Sequence, residues 1–74
     1  MQNKGRIFLM KFTIEVVRAD ERGRSDVLHR VSVDEISPKR VKVKADQLLR
    51  FWRNRGALSV RVLNPRAEEV YVST

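Results

Sequence analysis

Lys39, Arg40, Lys42, Lys44, Arg50, Arg53 and Arg55 crowd into one stretch, Ser37 to Gly56, where Asp46 is the only acid. Seven cations against one carboxylate give that stretch +6 of the chain's net +7. Ammonium and guanidinium groups at this density attract phosphate and other polyanions. Phe51 lies among them, and an aromatic ring between basic groups adds a face on which a nucleobase can stack. Binding to nucleic acid or another polyanion is therefore the first chemistry to consider. The competing interpretation is a solvated, solubilising face, with Phe51 widening the apolar stripe of a helix.

Catalytic chemistry has little to draw on. General acid–base work needs titratable groups converging in a pocket. Asp34-Glu35 and Glu68-Glu69 are sequence neighbours beside strand ends or turns, where alternation points their side chains apart. The three glycines, Gly5, Gly23 and Gly56, stand far apart and form no phosphate loop. His29 is the sole histidine and shares the apolar parity of its segment, so it reads as a packed or edge-lying side chain. Without cysteine, and with one histidine, the chain offers neither a disulfide nor a zinc set. The expectation is a non-catalytic module with no cofactor and no metal.

These side chains have to be positioned by a very small frame. Seventy-four residues make one domain, with a thin core and a total stability of about 4–11 kcal/mol. No apolar run is long enough for a membrane span, and Ile7-Phe8-Leu9-Met10 is too short for a signal peptide. A cytoplasmic protein without a membrane partner is expected. The domain itself is placed at 10–74. Residues 1–9 are assigned either to a loosely attached extension or to an early start of strand one.

Alternation of Phe8, Met10, Phe12, Ile14 and Val16 against Lys11, Thr13 and Glu15 predicts a half-buried first strand, central in the sheet. A polar break around Gly23 leads to a second strand, with Val27, His29, Val31 and Val33 inward and Leu28 outward. Ser37-Pro38 is a helix start, with serine as N-cap and proline in the first turn. Val41, Ala45, Leu48, Leu49 and Trp52 then fall on one stripe over 38–55, and Gly56 closes the helix. Leu58, Val60 and Val62 predict a third strand. Asn64-Pro65-Arg66-Ala67 predicts a turn, and Val70 and Val72 a fourth strand with Tyr71 on its other side.

The predicted fold is α+β in the order ββαββ: a mostly antiparallel four-stranded sheet, strand order 2-1-3-4, with one helix on one face. Val17, Leu28, Leu63 and Tyr71 would then lie on the uncovered face, a candidate interface for protein partners or for a second copy. Two functions compete. One is nucleic-acid binding by the basic helix, with Lys39, Arg40, Lys42, Lys44, Arg50, Arg53 and Arg55 on phosphates and Phe51 stacking. The other is protein interaction or self-association through the open sheet face.

Overall fold

Period-two alternation in the N-terminal half produces a long hairpin. In the computed structural model, which describes residues 8–19 and 22–74, β1 spans Met10–Ala19 and β2 spans Ser25–Glu35, paired antiparallel. Residues 1–7, and with them most of the expected extension, lie outside the described residues. Phe8 and Leu9 precede β1 and are exposed. α1 follows at Pro38–Arg53, then β3 at Ser59–Leu63 and β4 at Glu69–Ser73. The sheet order is β2-β1-β3-β4, as the apolar pattern predicted, with β1 paired on both sides.

β1 is central because it is the most apolar strand and can be covered on both edges. Phe12, Ile14 and Val16 face α1 and are buried, and Val60 and Val62 join them from β3. The helix closes this core with Val41, Ala45 and Leu49. Burying a Val, Leu, Ile or Phe side chain is worth about 1.5–3 kcal/mol, and these few groups supply most of what the small domain can gain.

The helix ends are built as their residues suggest, with two differences. Ser37 is the N-cap residue in an extended conformation, but its side chain makes no capping hydrogen bond. Helical residues stop at Arg53 rather than 55. Gly56, at φ +95°, then reverses the chain in a Schellman motif: Ala57 N–H donates to the Trp52 carbonyl and Gly56 N–H to that of Arg53. Ala57 follows directly into the core, whereas Leu58, expected inward, is exposed.

Two irregularities correct the face assignments. Val16 pairs with His29 but Val17 pairs with Val27, so Leu28 is an extra, unpaired residue in a β-bulge. Leu28 packs against the core cluster instead of standing on the open face, and Val27 shares the open face with Val17. In β4 the register shifts between Val62 and Leu63, leaving Val70 as the unpaired residue. Tyr71 therefore sits opposite the buried Val62 and faces the helix, while Val72 turns outward opposite Arg61. Tyr71 is not an open-face residue.

Candidate nucleic-acid interface

Successive residues of an α-helix are about 100° apart, so the six cations within α1 divide into two flanks either side of the buried stripe, and Arg55, just past its end, is placed by its contact with Phe51. Arg40, Lys44 and Arg55 lie on the flank nearer β2, together with Phe51. Lys39, Lys42, Arg50 and Arg53 lie on the flank nearer β4. Side-chain contacts fix both directions: Lys44 Nζ meets Glu35 of β2 at 2.9 Å, and Lys42 Nζ lies 5.2 Å from the centre of the Tyr71 ring of β4. Between the flanks stand the uncharged Val43 and Gln47, both exposed, with Arg50 close beside Val43 on the outermost line of the helix.

The flanks differ in what their charges already do. On the β2 side, Lys44 is held by Glu35, whose carboxyl lies below its usual range because of that hydrogen bond, against a smaller opposing effect of burial and with further help from the charges of Lys44 and Arg40. Arg55 is stacked over Phe51, with its guanidinium carbon 4.3 Å from the ring centre, and its Nη1 donates to the Phe51 carbonyl at 3.3 Å. On the β4 side lies the one acid of the helix, Asp46, which accepts a hydrogen bond from the Tyr71 hydroxyl at 2.8 Å. Among the described residues no carboxylate reaches ion-pair distance of Lys39, Lys42, Arg50 or Arg53. Arg50 and Arg53 line an open hollow of about 210 Å³ with Asp46, Leu49 and Ser73.

Helix stability does not account for every one of these cations. Arg50 and Arg53 in the last turn complement the helix dipole. Lys39 and Arg40 stand at the opposite, positive end, where the first turn holds no acid, and there a cation costs about 0.3–1 kcal/mol. That cost is borne by a domain with little stability to spare.

Phe51 is 56% exposed, and the other aromatic groups form a row behind it. Phe51 meets Trp52 edge-on, with centroids 6.0 Å apart, and Trp52 stacks on His29 of β2 at 5.3 Å. Trp52 is half-buried rather than fully enclosed, packed between the core cluster and this row. His29 finds its place here as a packing partner of Trp52, on the helix side of the sheet.

The open sheet face is organised around charge. Glu15, only 3% exposed, lies directly opposite Arg30 on one neighbouring strand and Arg61 on the other. Arg30 Nε donates to its Oε2 at 2.7 Å and Arg61 Nε donates to Oε1. Burial pushes the Glu15 carboxyl up, but the two guanidinium hydrogen bonds and charges outweigh that and hold it below its ordinary value. Neither arginine nor glutamate was singled out as a unit from the sequence; the signal that finds it is cross-strand register, which places an acid between two arginines. Of the four residues expected at an interface, Val17 is buried, Leu63 is half-buried, Leu28 packs on the core cluster and Tyr71 is on the other face.

Comparison with known protein families, with curated proteins and with solved structures finds no match to this chain. Among the described residues no helix is long and apolar enough to cross a membrane, and no group of three or more metal-binding side chains occurs.

Proposed function

We propose that this chain is a small, non-catalytic domain that binds the phosphate backbone of nucleic acid through the outer surface of α1. One observation carries the reading: Lys39, Lys42, Arg50 and Arg53 share one helix flank with no carboxylate in ion-pair contact among the described residues, and Asp46, the one acid of the helix, is hydrogen-bonded by Tyr71. Four cations against one carboxylate repel one another, and a polyanion relieves that repulsion while releasing its own counterions. Lys39 and Arg40, placed against their own helix dipole, point the same way. Arg40, Lys44 and Arg55 on the second flank add to the field, although Lys44 is already engaged with Glu35.

The rival, association through the open sheet face, draws less support. Tyr71 and Leu28 are not there, and the Arg30–Glu15–Arg61 network occupies its centre. Oligonucleotide binding by the double variant Arg50→Gln/Arg53→Gln tests the proposal. At low ionic strength it should bind at least tenfold more weakly than the parent, with an unchanged circular dichroism spectrum. Equal binding by the two proteins would remove the β4 flank as the contact surface.

A further inference from the structure

Phe51 is the one large aromatic of α1 that the core leaves open, and its ring contacts are one cation, Arg55, and one aromatic, Trp52. Arg55 covers one face of the ring at 4.3 Å and is tethered by its hydrogen bond to the Phe51 carbonyl. Trp52 meets the ring edge-on at 78°, and is itself braced by the stack on His29. More than half of the Phe51 side chain remains exposed to a ligand beside these two contacts. We infer that Phe51 and Arg55 form a seat for one unpaired nucleobase, which makes single-stranded rather than duplex nucleic acid the ligand of this domain.

This rests on the phosphate-binding reading above and adds to it the form of the ligand. A base within a duplex already has neighbours on both faces, so an aromatic ring on a helix surface has nothing to stack on there. A single strand can turn a base out onto such a ring, and planar guanidinium groups extend the same platform. A protein partner would have to bury Phe51 together with Arg40, Lys44 and Arg55, all exposed cations on the same flank. Arg40 and Arg55 have no carboxylate at ion-pair distance among the described residues, so desolvating them is costly, whereas a nucleotide strand brings a phosphate with each base.

Anisotropy of labelled oligothymidylate of about ten nucleotides, and of a duplex of equal length, tests this on the parent, Phe51→Ala and Phe51→Tyr. The parent should bind the single strand more tightly than the duplex. Phe51→Ala should weaken single-strand binding about 5- to 150-fold, the range of one lost base stack, and leave duplex binding unchanged. Phe51→Tyr should restore it. Because Phe51 is exposed, its truncation leaves the thermal midpoint near that of the parent. Equal single-strand affinity for Phe51→Ala and parent, or a preference for duplex, overturns the stacking seat while leaving the phosphate reading intact. Binding of neither oligonucleotide at low salt overturns both.

Discussion

The Tyr71 hydroxyl donates to the Asp46 carboxylate at 2.8 Å, joining the edge strand β4 to the middle of α1. This bond takes up the single acid of the helix and keeps it from the cations beside it. It also fixes the tyrosine ring beneath Lys42. One contact thus serves packing and the electrostatic character of the β4 flank together.

Removing the carboxylate charge should therefore strengthen polyanion binding. Asp46→Asn keeps an acceptor for Tyr71 and raises the net charge of the helix stretch. We expect tighter oligonucleotide binding at low salt, with a gain that shrinks as ionic strength rises. Titrations at two salt concentrations check this. Tyr71→Phe should act in the opposite sense, freeing Asp46 to pair with a neighbouring cation and weakening binding while lowering stability by about 1 kcal/mol.

Glu15 should govern the acid limb of stability. Its carboxyl titrates below the ordinary value of 4.5 in the folded protein because Arg30 and Arg61 favour the charged form. The unfolded chain therefore takes up this proton first as pH falls. The stabilising contribution is complete above about pH 4.5 and disappears as pH drops through the lower, folded value. Glu15→Gln should cost about 1–3 kcal/mol at neutral pH, since a buried charged acceptor is lost between two donors. It should also flatten the acid limb. Chemical denaturation between pH 7 and pH 3 measures both effects.

Ala67 is the one described residue other than glycine with a positive φ, at 63°. It ends the turn whose backbone bond runs from Ala67 N–H to the Asn64 carbonyl, with the Asn64 side chain accepting from Arg66 and Glu68 N–H. A left-handed conformation costs an L-residue about 1–2 kcal/mol, while glycine loses more freedom on folding. Ala67→Gly should give a net gain of about 0.5 kcal/mol. A rise of about 2–4 °C in melting temperature would register it.

Trp52→Ala should be the most damaging single truncation on the helix. The ring is half-buried, so the loss should be about 3 kcal/mol, at the lower end for a tryptophan-to-alanine change. The His29 stack would go with it. Urea denaturation followed by far-ultraviolet circular dichroism reads this directly.

The architecture was legible because β1, β2 and α1 carry long, unbroken periodicities. Alternation in Phe12, Ile14 and Val16 and the 3.6-residue stripe through Val41, Ala45 and Leu49 leave few ways to bury both. What the sequence could not carry was the pair of bulges. A bulge adds one residue to one strand and shifts its faces, and nothing in Val27-Leu28-His29 or Val70-Tyr71-Val72 marks which residue is the extra one. The inward turn of Tyr71 depends on Asp46, twenty-five positions away in the chain. Leu58 gave way to the smaller Ala57, which enters the core where the Schellman turn brings β3 in close. In the basic stretch, the positions of the cations were readable by rotation alone. That Lys44 is the one paired depends on Glu35, and so on a tertiary contact.

The central claim is that cations of α1 take the place of counterions on a phosphate backbone. The salt dependence of binding to a short single strand tests it most directly. Three to five phosphate contacts give a slope of log affinity against log salt of about −2 to −3.5, and the Arg50→Gln/Arg53→Gln variant should lose roughly two contacts' worth, about 1.4. A slope near zero, or no detectable binding at low ionic strength, would contradict it.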